Sequence, residues 1–170
     1  MPLSRRALDR IARATARQWA GIAQRTPTYL TAYQDCPGSS SRAQRRAEWI
    51  AALPEFVFAK TVLELGCAAG RNLAALHRRH PDMEVAGIDI NDEALAAARA
   101  ALPGGQFHRM NLYDFMPYYG LRADLVLTCG VLSHLHRAGA ACVMRAVFAA
   151  GSCLLMVEHL GHGEVLKGPW

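Results

Sequence analysis

The sequence predicts an α/β fold in which a doubly wound parallel sheet carries helices on both faces and follows a group of N-terminal helices. Two observations predict this fold. Short apolar segments alternate with helical patterns along most of the chain, which favours parallel strands joined by helical crossovers. A glycine-rich turn also connects the first of these strands to a helix, as is typical of ligand-binding sheets of this kind.

The elements can be assigned in order. An amphipathic first helix is indicated by residues that recur at helical spacing: Leu8, Ile11, Thr15, Trp19 and Ile22. A second helix is predicted over residues 41–53, with Ser41 as its N-cap and with Trp49, Ile50 and Leu53 facing inward. Strands are predicted near residues 61–65, 84–89, 106–110, 123–128 and 152–158, and further helices near 70–80, 91–102 and 137–150.

The glycine-rich turn lies within VLELGCAAGRNL, residues 62–73. Gly66 and Gly70 bracket three small residues, so the backbone can approach a ligand closely. The helix that follows directs its free N–H groups toward the same place. The spacing is G-x-x-x-G rather than the complete pyrophosphate-binding fingerprint, so a plain tight turn between strand and helix is the alternative.

The next strand, within EVAGIDIN, ends in Asp89. The carboxyl end of a strand beside the glycine turn faces the ligand crevice of an open parallel sheet. A carboxylate in that place can accept hydrogen bonds from both hydroxyls of a ribose. The alternative is that Asp89 caps the following helix, although Asn91 or Asp92 can serve that purpose instead.

Together, ELGCAAG and GIDIN resemble the first two motifs of class I S-adenosylmethionine-dependent methyltransferases, which share a Rossmann-like sheet. The resemblance extends over residues 57–159, and Ala68 departs from the middle glycine that is usual in the family. It implies S-adenosylmethionine as cofactor and S-adenosylhomocysteine as product. The cofactor-binding residues that it implies are Glu64, Gly66, Cys67, Ala68, Gly70, Asp89, Ile90, Asn111, Leu112 and Cys129.

Two later segments extend the resemblance. Asn111 takes the place of an acidic residue that the family often has near the adenine amino group, and Leu112 is implied to pack on the adenine. A turn-forming role for Asn111 is the alternative. The run GVLSHL at residues 130–135 resembles a subset of small-molecule methyltransferases, some of them from sugar and natural-product pathways.

Methyl transfer to a hydroxyl or an ammonium nitrogen also requires a base, and imidazole is the usual one near neutral pH. His134, just after the fourth strand, is the first candidate, with capping or packing as the alternative. His159 at the end of the fifth strand is the second, and Glu158 beside it is a candidate for orienting the substrate. Tyr113 and Asp114 are weaker candidates.

Residues 1–56 are predicted to form a helical lid or cap over a cofactor-binding core at residues 57–170. Trp19, Tyr29 and Tyr33 are candidate walls of the substrate pocket or, alternatively, ordinary core aromatics. Arg25 or Arg71 can pair with the carboxylate of the cofactor through two parallel hydrogen bonds, with a plain surface position as the alternative.

Composition favours one domain without a membrane-spanning segment. The N-terminal arginines argue against a secretory signal, and the alanine and arginine content suggests a bacterium. The five cysteines show neither a disulfide framework nor a zinc spacing, which indicates a reducing cytoplasm. No metal is expected, and a cluster of Glu158, His159 and His162 is a disfavoured alternative.

Charge and chain length bear on partners. Ten Lys or Arg residues face four Asp or Glu residues within positions 1–60, which suits an anionic substrate or nucleic acid or, more simply, a solvated helix face. Nothing in the sequence resembles a dedicated RNA-binding motif, so we rank a small-molecule substrate above RNA. The family's usual C-terminal strands do not fit in the residues after CLLMVEH, so we expect a homo-oligomer or a partner chain to cover that sheet edge, with a fragment or a naturally shortened form as the alternatives. A non-catalytic or partner-dependent subunit of the same fold is the alternative function.

Overall fold

The computed structural model describes residues 39–114, 123–149 and 153–157, together with Arg6, Arg10, Arg13, Ala14 and Arg17. Strands and helices alternate after an initial helix, as the sequence predicts. The bounds are α1 Ser39–Ala51, β1 Thr61–Leu65, α2 Arg71–Arg79, β2 Glu84–Asp89, α3 Asp92–Ala101, β3 Gln106–Arg109, β4 Leu125–Cys129, α4 Arg137–Ala149 and β5 Cys153–Val157. Short 3₁₀ turns lie at Pro54–Phe56, Leu112–Asp114 and Leu132–His134.

The five described strands form one parallel sheet in the order β3-β2-β1-β4-β5. This confirms the predicted fold class. The chain builds outward from β1 through β2 to β3 and then returns to the other side of β1 for β4 and β5. The strand order therefore reverses between β1 and β4, and ligands of such sheets bind at the carboxyl ends of the strands beside this reversal.

The sheet is covered on both faces because its central strands are apolar on both sides. Residues of β1 alternate between two buried clusters, with Val62 in the first and Leu63 and Leu65 in the second. Helices α1, α2 and α3 contribute to the first cluster, and α4 contributes to the second. The glycine turn that follows β1 consequently rests on a strand that is fixed from both sides.

Two expectations about α1 are wrong. The helix begins at Ser39, so Ser41 lies inside its first turn rather than at the N-cap. Trp49 is 51% exposed, although it was expected to face inward with Ile50. The buried stripe runs instead through Ala43, Ala47 and Ile50, which are spaced as one helical face, and the small alanines allow α1 to pack closely on α2.

Charged residues of the described part of the N-terminus face solvent. Arg6, Arg10, Arg13 and Arg17 are helical and exposed, as expected for a solvated helix face. No helix among the residues described is both long and apolar enough to cross a lipid bilayer.

Asp124 fastens the amino ends of β1 and β4 to each other. Its Oδ2 accepts hydrogen bonds from the backbone N–H of Lys60 at 2.8 Å and of Thr61 at 2.9 Å. The Thr61 hydroxyl also donates to this oxygen at 2.9 Å and accepts from the Asp124 N–H at 2.9 Å. These donors, the Lys60 N–H foremost, hold the pKa of Asp124 below its usual range.

Replacing Asp124 with alanine is expected to lower the free energy of unfolding by about 1 kcal/mol at pH 7, because hydrogen bonds to an exposed carboxylate are partly replaced by water. Urea denaturation checks this, with Asp82→Ala in an exposed turn as the control. The folded pKa is lowered from its ordinary value of 3.8, so this contribution is present above that pH and is lost as the pH falls through the folded pKa. Equal stability of the native chain and Asp124→Ala at pH 7 would contradict the prediction.

Candidate functional site

The glycine turn lies at the carboxyl end of β1, beside the reversal of strand order, and is tied to β2. The N–H groups of Gly66 and Cys67 both donate to the Ile88 carbonyl, at 2.7 and 3.0 Å. The Gly70 N–H donates to the Cys67 carbonyl at 2.9 Å and closes the turn before α2 begins. These hydrogen bonds within the chain define the shape of the turn.

Both glycines of the turn are required by conformation and by space. Gly66 has φ of 72°, and a Cβ there would lie 2.9 Å from the Cβ of Val131 in the segment after β4. Gly70 has φ of 67°, and a Cβ there would lie 3.0 Å from the Cβ of Ala98. Side chains at these positions would force the turn away from the segment after β4 and from α3.

Ala68 has φ of 46° and is the one non-glycine residue with positive φ among those the structure describes. This is the position at which the sequence departs from the usual middle glycine. The left-handed conformation costs an alanine roughly 1–2 kcal/mol. A hydrogen bond from the Ala68 N–H to Asp89 Oδ2, at 2.8 Å, holds it there.

Replacing Ala68 with glycine is expected to raise the free energy of unfolding by about 0.5–1 kcal/mol, since relief of the left-handed backbone exceeds the entropy cost of glycine. Chemical denaturation checks the sign. The matched control is Ala69→Gly at the next position, which is buried and does not have positive φ, and which is expected to destabilise the fold. If both substitutions destabilise equally, the backbone of Ala68 is not strained.

Asp89 connects the glycine turn to the start of α3. Its Oδ1 accepts from the Asn91 N–H at 2.9 Å, while Oδ2 holds Ala68. Burial raises the pKa of Asp89, and the backbone N–H groups of Asn91, Ala68 and Ile90 oppose that rise. Asn91, rather than Asp89, caps α3, because its side chain accepts from the N–H groups at positions 93 and 94.

Glu64 is the least exposed acid of the site, at 1% exposure, and lies one residue before the end of β1. Its Oε1 accepts from Asn72 Nδ2 at 2.6 Å, and Oε2 has no hydrogen-bond partner among the described residues. Burial raises its pKa to about 8, while Asn72 and then Arg46 lower it. The carboxyl is therefore mostly neutral at pH 7.

Cys67 packs below the turn against Gly87 in the middle of β2. A Cβ at Gly87 would lie 2.6 Å from the Cys67 sulfur, so only glycine fits there. Burial raises the pKa of the Cys67 thiol far above its usual range, and the side chain is therefore a neutral packing group. The sequence prediction omitted Gly87, although a glycine inside an apolar strand is a known sign of close approach.

Asn111 forms a turn after β3. Its Oδ1 accepts from the Tyr113 N–H at 3.1 Å, and its carbonyl accepts from the Asp114 N–H at 2.9 Å. Asn111 thus has the turn-forming role given as the alternative, with its Oδ1 atom as the acceptor. Contact of Asn111 with adenine stays a prediction. Leu112 is 8% exposed and packs in the second cluster.

The segment after β4 lies beside the glycine turn, on the side away from β2. Cys129 is half-buried at the end of β4, and the exposed His134 ends the short turn that follows. The Tyr113 hydroxyl accepts from the His136 N–H at 2.9 Å, and a Cβ at Gly139 would clash with the Tyr113 ring. Tyr113 is therefore bound to the amino end of α4, which weakens it as a candidate base.

Several predicted site residues lie outside the described residues. They are Trp19, Arg25, Tyr29, Tyr33, Glu158, His159 and His162. Ile90 is half-buried and follows Asp89 directly in the chain. Arg71 is half-buried and begins α2. Within the described ranges, no three His, Cys, Asp or Glu side chains meet in a way that could hold a metal ion.

Comparison with known proteins bears on this site. A family described as a methyltransferase domain matches residues 62–150, more than half of the chain. A trans-aconitate 2-methyltransferase from Escherichia coli is 33% identical over 97 residues, which are 57% of this chain and 37% of that protein. The chain thus spans well under half the length of this curated relative.

Solved structures share the fold. An O-methyltransferase family protein from Burkholderia thailandensis has a TM-score of 0.65 at 24% identity, covering 77% of this chain and 41% of that one. An amino pentose methyltransferase from Micromonospora echinaspora, solved with bound S-adenosylmethionine, has a TM-score of 0.61 at 25% identity. That match covers 84% of this chain and 60% of the other.

Proposed function

Since this chain belongs to the class I S-adenosylmethionine-dependent methyltransferase family, we propose that it transfers a methyl group to an oxygen or nitrogen of a small molecule. The observation that carries the proposal is the glycine turn at the carboxyl end of β1, beside the reversal of strand order, together with Asp89, which holds this turn from the end of the adjacent β2. Similarity to a trans-aconitate 2-methyltransferase and to an amino pentose methyltransferase supports a small-molecule substrate.

The adenosine end of the cofactor is proposed to lie over β2 and β3. Asp89 would accept the ribose hydroxyls, because a carboxylate has about four acceptor sites and backbone N–H groups do not use all of them. Ile90, Asn111 and Leu112 would border the adenine. Because Asp89 lies one strand away from β1, the opposite end of the cofactor, with its amino-acid group, would reach Glu64.

The chain's own residues would mainly position and enclose the reactants. When bound, the cofactor supplies a methyl group on a positively charged sulfur. The glycine turn and the segment at Cys129 would fix its orientation, and proximity of this kind can supply roughly 7–11 kcal/mol of the barrier reduction in favourable cases. His134, exposed beside the crevice, would take the proton of the attacking group, with His159 as the second candidate.

Three further roles extend the proposal. The helices that precede α1 would form a lid, with Trp19, Tyr29 and Tyr33 at the substrate and Arg25 on the cofactor carboxylate. Glu158 would orient the substrate.

A second copy of the chain, or a partner chain, would cover β5, which lies at one edge of the described sheet.

Calorimetric titration of the purified chain with S-adenosylmethionine and S-adenosylhomocysteine tests the proposal. Saturable binding of both is expected. NAD⁺ and ATP serve as comparison ligands and should not bind, because the turn lacks the pyrophosphate fingerprint. Absence of heat with either sulfur ligand, together with an unchanged melting temperature in their presence, would overturn the proposed function for this chain.

A further inference from the structure

Three polar side chains form a continuous path from α1 through α2 to β1. Arg46 Nε donates to Asn72 Oδ1 at 3.1 Å, and Asn72 Nδ2 donates to Glu64 Oε1 at 2.6 Å. Arg46 and Asn72 are half-buried, whereas Glu64 is 1% exposed. The path therefore leads from the flank of the domain to the buried acid next to the glycine turn.

The direction of this path is set by Arg46. A guanidinium can only donate hydrogen bonds, so the oxygen of the Asn72 amide must face it. The amide nitrogen of Asn72 must then face Glu64, and that nitrogen can donate but cannot accept. A proton on Glu64 is consequently confined to Oε2, which is the oxygen without a hydrogen-bond partner among the described residues.

We propose that Arg46 and Asn72 are positioning residues that present Glu64 Oε2 to a cationic group of the cofactor, and that this oxygen releases its proton when that group binds. The inference rests on the proposed function. In the step, the O–H bond of the Glu64 carboxyl breaks, the proton passes to the buffer, and the carboxylate formed pairs with the ammonium of the ligand.

The charges that face Glu64 agree with this step. Arg46 on α1 and Arg71 on α2 favour the ionised carboxyl, whereas Asp89 on β2 disfavours it. The buried thiol of Cys67, on the turn, is neutral. Burial has a larger effect than any of these charges and keeps the free carboxyl protonated at pH 7. A cation in contact with Oε2 adds an attraction that the unliganded site does not have, and it favours the ionised form.

Two ligands separate this role from a general structural one. S-adenosylhomocysteine carries the ammonium, and 5′-methylthioadenosine shares its adenosine part but lacks the amino-acid group. In Asn72→Leu and Arg46→Met, binding of S-adenosylhomocysteine is expected to weaken about tenfold, as for loss of a well-oriented charged contact, while binding of 5′-methylthioadenosine is unchanged. The matched control is Arg45→Met, an exposed neighbour on α1.

Proton release is measured by titrating S-adenosylhomocysteine at pH 7 in phosphate and in Tris, whose ionisation enthalpies differ. The native chain is expected to release close to one proton, with the same number in Arg45→Met. We expect none in Glu64→Gln and fewer in Arg46→Met, in which the Asn72 amide is free to turn. Circular dichroism of each variant establishes that it is folded. Arg46→Met changes only a half-buried side chain, so it keeps the test valid if Glu64→Gln does not fold.

Equal weakening of both ligands in Asn72→Leu and Arg46→Met would show a merely structural role and overturn the inference. Binding of S-adenosylhomocysteine by the native chain without proton release would overturn it as well. If the native chain binds neither ligand, the proposed function fails, and this inference fails with it.

Discussion

Replacing Asp89 with asparagine is expected to weaken binding of S-adenosylhomocysteine by about 100-fold or more. A hydrogen bond to a charged group contributes about 1.5–3 kcal/mol, and two ribose hydroxyls would each lose one. The substitution also affects the turn, because Ala68 and Asn91 donate to different oxygens of Asp89. An asparagine amide has only one oxygen, so its NH₂ group would face one of these N–H groups without accepting from it.

Calorimetric titration measures this loss, and Asp82→Asn is the control because Asp82 is exposed in the turn before β2, at the opposite end of that strand. The control should bind as the native chain does. If Asp89→Asn loses stability yet binds S-adenosylhomocysteine with native affinity, Asp89 acts only as a brace for the turn, and the ribose must be bound elsewhere.

Replacing Glu64 with glutamine is expected to remove most of the alkaline sensitivity of the fold. The pKa of Glu64 rises from its ordinary value of 4.5 to about 8 in the folded chain, chiefly through burial. A raised folded pKa contributes stability that is complete below the unfolded pKa and is lost as the pH rises through the folded one. Between pH 6 and pH 9, the native chain should lose about 3 kcal/mol of unfolding free energy relative to Glu64→Gln.

Urea denaturation at the two pH values, without ligand, checks this difference. Glu84→Gln, at the exposed start of β2, is the matched control and should follow the native chain. Parallel pH dependence of the native chain and Glu64→Gln would show that Glu64 is already ionised in the folded protein at pH 6, and would contradict its assignment as a neutral acid.

Periodic patterns predicted the regular part of the fold well. The strands near 61–65 and 84–89 were predicted with the bounds that the structure has, because apolar runs of that length between turn residues permit few other arrangements. The position of Asp89 at the crevice followed from its place at a strand end, which the topology of a parallel sheet determines. The strand bounds and the place of Asp89 at a strand end depend on local sequence alone.

Contacts between distant residues were not predictable in this way. Trp49 was predicted to lie on the inward face of α1, whereas close packing on α2 depends on Ala43 and Ala47. Arg46 and Asn72 are 26 positions apart, and no spacing rule connects them. Their partnership requires the angle at which two helices cross, which is a property of the assembled core.

The hydrogen bonds from the turn to Ile88 and Asp89 affect both the rate and the affinity with which a ligand binds. Because these bonds join β1 to β2, the turn takes its shape when the sheet folds, before any ligand arrives. Ordering a mobile loop lowers the affinity of a binding reaction, and at this turn the backbone hydrogen bonds already provide that order. A ligand should therefore bind to a turn that is already rigid. Changes that loosen the turn should mainly speed dissociation of the ligand.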